Sequence, residues 1–486
     1  MFPATRLFIE IYHKRPYYGN MAKNIKITGF LIILMFTASL SFGQARGAIL
    51  DENYDNLPRR ADIYSLSYEG LPGSYSLKQY APLPGDQTDY GTCVAWAASY
   101  AARTILESIA LNRLNQTETT QNAFSPVYVY RNIRPDDPEC IYGTQIFTAL
   151  DFMRDTGTTR MLNVEREVSF PRVNLAYYRT TRKYPIAGYV TLFSRDERQK
   201  LTLITRIIKK SLTEGKPVII AMNTPDSFID AKDVWRPPEN PAHFYYAHAL
   251  CVVGYDDQRF GGAFEIQNSW GRKWGNGGYI WIPYQTFVDF VYEGYELIDN
   301  ISYLSDSLMF DGYIRMDVID QQTRTAAFNL TENYFYTAAE IFTEAAEVSF
   351  VIGTGESSYV YSFRAVKPLN EDYFYMPSLL FPHNGISPLL NYSGSAVTLP
   401  GENRTITLDT PGTEYIITLY AKQALDIHSI MRVFSSAQGS INKRLASAIG
   451  DGYTTELVFN ETEAAFTVSP DNPRAVAALV IAIERR

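Results

Sequence analysis

The block Asn268-Ser269-Trp270-Gly271-x-x-Trp274-Gly275-x-x-Gly278-Tyr279 restricts the fold of this 486-residue chain more than any other stretch. Two tryptophans and three glycines at fixed spacing after an asparagine rarely arise by chance. The runs on either side, Phe264-Glu265-Ile266-Gln267 and Tyr279-Ile280-Trp281-Ile282, are β-type, and glycine turns separate them. Two more apolar strands, at 217–222 and 250–255, come just before. Upstream of these the texture is helical. A helical first part followed by a β part suggests two lobes with a groove between them, and grooves between lobes are common ligand sites.

The helical part has readable boundaries. Val94 to about Ala110 is alanine-rich and free of Pro and Gly, which favours helix. Ser125-Pro126 starts a second helix that runs to Ile133. Ile146, Leu150 and Met153 recur at helical spacing before a stop at Gly157, and 204–214 is amphipathic before Gly215. Cys93 therefore opens a helix. The dipole and free N–H groups there are expected to lower a thiol's pKa. Taken alone, such a cysteine reads as a buried small residue. Its partners change the reading.

A thiolate nucleophile needs a base, a group that orients the base, and donors for the oxyanion. His248 directly precedes the strand at 250–255, and Asn268 ends the strand at 264–268. Adjacent antiparallel strands would bring them side by side, and Trp270 would cover their hydrogen bond. Gln87, six residues before Cys93, offers an amide N–H to an oxyanion, with the Cys93 backbone N–H as second donor. His243 competes as base but lacks the strand that follows His248 immediately.

On these residues the chain resembles the papain-like cysteine peptidases, bacterial secreted type: Gln87-x-x-x-Gly91-Thr92-Cys93, then His248-Ala249-Leu250-Cys251-Val252-Val253-Gly254-Tyr255, then the Asn268 block. The histidine follows the cysteine by 155 residues. That is close to the family's spacing of about 130–150. The resemblance covers residues 73–300. It implies an α+β, two-lobed fold with a helical lobe and a β-barrel-like lobe. It also implies peptide-bond hydrolysis through an acyl-enzyme, with Cys93 attacking, His248 protonating the leaving amine, Asn268 orienting the ring and Gln87 holding the oxyanion. Gly143 and Thr144 match the stretch that lines the substrate groove. Tyr246 and Ala249 would flank the pocket for the residue preceding the scissile one by one position, and Trp270 is counted with the substrate-contacting residues. The family usually has tryptophan directly after the nucleophile, where Val94 stands here, with Trp96 two further on. Tyr90 replaces a common cysteine and leaves Cys140 without its usual partner. The insertion 226–241 is the candidate loop for closing one end of the groove. The segment upstream of residue 73 is short for the family's long inhibitory propeptide.

The remaining composition sets outer limits. The formal charge is −8 with no basic stripe, so nucleic acid is not an expected partner. Three cysteines cannot pair fully, and no cysteine or histidine cluster has metal-ligand spacing; no cofactor is expected. Residues 1–46 are expected to be an N-terminal extension and signal peptide. Met21, Lys23 and Lys26 precede a 14-residue apolar run at 29–42, which is shorter than the ~20 residues a membrane span needs. The alternative is an N-terminal membrane anchor. Residues 47–72 read as a linker or short pro-segment and 301–340 as a linker. Residues 341–486 read as a β-rich, sandwich-like domain with helices at 426–436 and 441–449 and a final buried strand at 474–484. Leu380-Phe381-Pro382, Thr410-Pro411-Gly412-Thr413-Glu414-Tyr415 and Leu425-Asp426 resemble a β-rich domain of unknown function on bacterial envelope proteins, which implies cell-envelope association and no activity. The expectation is a secreted or periplasmic peptidase acting on protein or peptide. The alternative is a non-catalytic surface-binding protein on the same scaffold.

Overall fold

The computed structural model describes residues 45–61, 70–167, 170–299, 309–320, 322–333, 335–391, 394–401 and 403–486. The apolar run at 29–42 and its signal-peptide reading lie outside these residues. Among the described residues no helix is long and apolar enough to cross a membrane.

The helix that begins at Cys93 continues to residue 110. Cys93–Ala95 and Thr104–Ala110 are α-helical, and Trp96–Arg103 between them has the wider π winding. The alanine content forecasts helix here, but nothing in it forecasts the wide turns. Every residue from Cys93 to Ser108 is buried. Alanine makes this feasible, because its small side chain lets neighbours approach on all sides. Around this helix lie Pro126–Ile133 and Ile146–Asp155. Ser125 Oγ accepts from the Tyr128 N–H at 2.9 Å, a cap worth about 1 kcal/mol. Leu201–Thr213 buries Ile204, Ile207, Ile208 and Leu212, as its period requires.

The β lobe is one antiparallel sheet. Its strand order is Gly188–Thr191, Val291–Ile298, Val218–Asn223, Ala247–Asp256, Ala263–Gln267, Tyr279–Pro283, and Ser74–Ser76 is added to the 247–256 strand. With the helices before it, this gives the α+β, two-lobed arrangement. The insertion 226–241 follows the Val218–Asn223 strand. It runs along the outer edge of the sheet, with Trp235 N donating to Trp281 O at 2.9 Å and Trp281 N to Asp233 O at 3.1 Å. Phe228 and Trp235 are buried beneath it. The insertion thus covers a free strand edge. Helices and sheet share one continuous apolar core.

The C-terminal part is a sandwich of two antiparallel-dominated sheets. One is built on Ser358–Pro368, Gly412–Ala421 and Val476–Arg485, the other on Phe310–Ile319 and Ala346–Thr354. Residues 301–340 are therefore not only a linker. Phe310, Gly312, Ile314, Met316 and Val318 alternate with polar residues, and the strand they form pairs with 347–353 in the heart of its sheet. Helices Ile427–Ser436 and Ile441–Ile449 cover the outer face of the first sheet. That is why the Val476–Arg485 strand is apolar on both faces rather than alternating.

The segment 45–61 joins both halves. At Arg59 it pairs on two sides at once. Arg59 N donates to Gly385 O at 2.7 Å and Ser387 N to Arg59 O at 2.7 Å, while Thr191 N donates to Pro58 O and Arg60 N to Thr191 O, both at 2.9 Å. Beneath this pairing lies a buried charge cluster. Glu296 is reached by Arg60 at 3.9 Å, Lys216 at 3.8 Å and Asn391 Nδ2 at 2.7 Å. Burial pushes the Lys216 amine down to about 8.

Candidate functional site

The strands Ala247–Asp256 and Ala263–Gln267 run antiparallel, so the start of the first and the residue just past the second lie at one end of the sheet. His248 and Asn268 meet there, with His248 Nε2 and Asn268 Oδ1 2.8 Å apart. The Ser269 N–H also donates to Asn268 Oδ1, at 2.7 Å. A backbone N–H can only donate, so the amide oxygen faces the ring and Nε2 carries the proton. Nδ1 is left with its lone pair, buried and without a hydrogen-bond partner. Trp270 stacks on the imidazole at 4.6 Å and 27° between planes. Trp274 and Phe228 pack against Trp270 in turn. The tryptophans of the glycine block thus wall the His–Asn pair off from water. Burial pulls the imidazole pKa down to about 4, against the Asn268 bond that raises it and with the Arg46 charge that lowers it further. His243 lies exposed on the loop beyond.

Cys93 is fully buried at the start of its helix, facing the 247–256 strand. The amides of Ala249, Gly47, Val94 and Cys93 draw its pKa down, but burial outweighs them and pushes it up to about 11. This reverses the expectation of a lowered thiol pKa. The helix start does supply donors, yet the thiol is covered, and desolvation penalises the thiolate more. The covering group is the chain itself.

Residues 45–50 run through the cleft. Gln87 Nε2 donates to the Ala45 carbonyl at 3.0 Å. Gly47 lies against the thiol. Thr144 N donates to Gly47 O at 3.0 Å, Ile49 N to Thr144 O at 3.0 Å, and Ala48 N to Ala247 O at 3.3 Å. Ala48 thereby forms a parallel bridge with Thr144. Three glycines make this passage possible. A Cβ on Gly47 would overlap the Gly91 carbonyl, one on Gly143 would overlap the Gly47 carbonyl, and one on Gly91 would overlap the Ile141 carbonyl. Gly143 also needs its freedom at φ +78°. Its N–H donates to Tyr130 OH at 3.0 Å and its carbonyl accepts from Arg134.

Gln87 is aimed by two contacts. Its Oε1 accepts from Ser269 Oγ at 2.5 Å, and its N–H donates to Ser269 O at 2.8 Å. Nε2 is therefore left pointing at carbonyls. The loop before it is braced by Trp96, whose ring fills the space a Cβ on Gly85 would need. All three cysteines are free. The Gly91 N–H donates to Cys140 O at 2.8 Å. Gly143 and Thr144 lie against residues 47–49. Tyr246 is half exposed at its rim. Ala249 and Trp270 are buried, and their contacts here are with Cys93 and His248. The sequence reads as a linker or short pro-segment over 47–72 but does not place residues 45–50 in the cleft; the local signal for that is the small Ala45, Gly47 and Ala48 around one arginine. Among the described residues no group of three or more His, Cys, Asp or Glu is placed to hold a metal.

Residues 145–290 match the papain family cysteine protease profile. The match takes in His248 and Asn268 and begins after Gln87 and Cys93. An uncharacterized peptidase C1-like protein of Acanthamoeba polyphaga mimivirus is 26% identical over 238 residues, 45% of this chain and 71% of that protein. Among solved structures, xylellain, a cysteine protease from Xylella fastidiosa, is 20% identical with a TM-score of 0.42, covering 53% of this chain and 96% of its own. A digestive procathepsin L 3 of Tenebrio molitor larval midgut is 16% identical with a TM-score of 0.38, covering 51% and 77%. Residues 145–290 thus carry a papain-family domain, and together with the mimivirus relative this supports a papain-like cysteine peptidase.

Proposed function

We propose that Cys93, His248, Asn268 and Gln87 perform the hydrolysis. The observation that carries this reading is the Nε2–Oδ1 pairing of His248 with Asn268, which leaves the Nδ1 lone pair as the base. The Cys93 sulfur attacks the carbonyl carbon as its proton passes to Nδ1. Gln87 Nε2, which already holds a backbone carbonyl, and the Cys93 N–H steady the oxyanion. Collapse expels the amine, which takes the proton from His248 and leaves a thioester. Water, deprotonated by His248, hydrolyses the thioester and restores the thiol. Gly143 and Thr144 offer backbone pairing to a substrate, as they do to residues 47–49.

With residues 45–50 seated, thiol and imidazole are both neutral and the carbonyl site is taken. Hydrolysis therefore requires this segment to leave. The same observation favours a second reading, a non-catalytic binding protein on this scaffold. One experiment separates them. Peptide-library hydrolysis is measured with the full chain carrying Gly47→Val, which cannot seat the segment. Hydrolysis that persists in Cys140→Ala and vanishes in Cys93→Ala supports the enzyme, and no hydrolysis in any variant supports the second reading. The reading also places the protein outside the cytoplasm, on the strength of the apolar run at 29–42, with the C-terminal domain associating with the cell envelope. A cytoplasmic product retaining Met1 would contradict this.

A further inference from the structure

Arg46 occupies a pocket of its own beside the cleft. The segment's backbone bonds run to Gln87, Thr144 and Ala247, whereas the Arg46 side chain turns away along the His248 wall. Its Nη1 donates to Thr224 O at 2.7 Å and its Nη2 to Asp226 Oδ1 at 2.9 Å. The guanidinium lies 4.0 Å over the Tyr246 ring. Only 10% of the side chain remains exposed. A carbonyl, a carboxylate and an aromatic face are together the complement of a guanidinium.

The pocket is built independently of its occupant. Thr224 N and Oγ1 both donate to Tyr246 O, at 2.7 and 3.2 Å, tying the ends of two strands together. Asn223 braces the same corner through His243 O at 2.7 Å and Tyr245 N at 2.8 Å. Asp226 opens a short turn in which Glu239 holds Ser227 through Oγ at 2.7 Å, so a second carboxylate stands close by. Only Arg46 would leave when the cleft opens.

We propose that Asp226, the Thr224 carbonyl and Tyr246 form a substrate subsite for a basic side chain, arginine above lysine, at the position next to the reacting bond. Arg46 is its intramolecular occupant. The position follows from Ala45, whose carbonyl the Gln87 amide holds at 3.0 Å, so that Arg46 is the residue directly after that carbonyl. The proposal rests on Cys93 being the nucleophile.

The test uses full-length Arg46→Ala/Gly47→Val, which frees both cleft and pocket. Peptides carrying Arg, Lys, Ala or Glu at each position in turn are digested and the cut sites mapped by mass spectrometry. The expected result is at least tenfold higher kcat/KM for Arg over Ala at one position adjoining the cut. Adding Asp226→Lys should invert the order, so that Glu is preferred over Arg there. A preference for Arg that survives Asp226→Lys, or no preference at all, overturns the subsite. If no peptide is cut, the catalytic reading fails and the subsite is judged by binding. Fluorescent acetyl-Ala-Arg-Gly-Ala-Ile-Leu should then bind the double variant at least tenfold more tightly than the same peptide with Ala in second place, and Asp226→Lys should abolish the difference. Equal binding of the two peptides overturns the proposal.

Discussion

At residues 45–50 and again at 58–60 the same extended segment runs between two walls of protein, but the two passages are held differently. In the cleft it is held by backbone bonds across glycine surfaces and by one arginine whose carboxylate partner is 79% exposed. At the domain junction it is paired on both edges over Arg60, Glu296 and Lys216, with Arg60 and Glu296 buried. Backbone bonds like those in the cleft contribute only about 0.5–1.5 kcal/mol each, because water replaces them once the segment lifts. At the junction, separation would break the buried Arg60–Glu296 ion pair as well as the backbone bonds, and breaking a buried pair costs more than losing a bond that water replaces. The cleft passage is therefore the more weakly held of the two.

The largest expected effect tests the cleft passage. Gly47→Val should accelerate alkylation of Cys93 by iodoacetamide about 1,000-fold at neutral pH, since a few backbone bonds at ~1 kcal/mol each are lost and 1.4 kcal/mol is tenfold. Peptide mapping should show Cys140 and Cys251 unchanged. A Cys93 rate equal to wild type would mean that the segment does not gate the thiol.

The pH dependence of stability comes next. An unfolded histidine takes up its proton near pH 6.5, whereas folded His248 waits until about 4. Between these values the unfolded state binds more protons, so stability falls as pH drops through this window. The gap amounts to roughly 3 kcal/mol. Denaturant midpoints at pH 7 and pH 4 should therefore diverge more in wild type than in His248→Gln. Equal divergence would place the imidazole in contact with water. Glu165 and Glu293, held up near 7 by burial, act in the opposite sense in both proteins and cancel in the difference.

Arg60→Ala tests the junction passage. Glu296 would keep Asn391 and Lys216 but lose its guanidinium, at a cost of about 2 kcal/mol in urea unfolding. Cys93 alkylation should not change. Faster alkylation would show that the two passages release together. The smallest effect is expected from Asp226→Asn, which removes an exposed charge from Arg46 and should raise Cys93 alkylation only two- to fivefold.

Much of this molecule is legible locally. The cap at Ser125, the stops at Gly157 and Gly215, and the apolar runs of the β lobe depend on neighbours a few residues away, and each element forms where the pattern puts it. The strand at 310–319 carries its alternation in plain sight and was masked only by its position between two recognisable domains. The candidate site was legible because Gln87, Cys93, His248 and Asn268 stand in spaced motifs.

What the sequence determined alone was therefore the set of candidate site residues and the elements that carry them. The tertiary structure decided their state. Whether the thiol is poised or covered depends on Gly47, Gly91 and Gly143, three glycines far apart in the chain whose backbones meet only after folding. Desolvation depends on what lies above a group rather than on what precedes it. For that reason a cysteine at a helix start, which the local field alone would activate, is held as a thiol of pKa about 11.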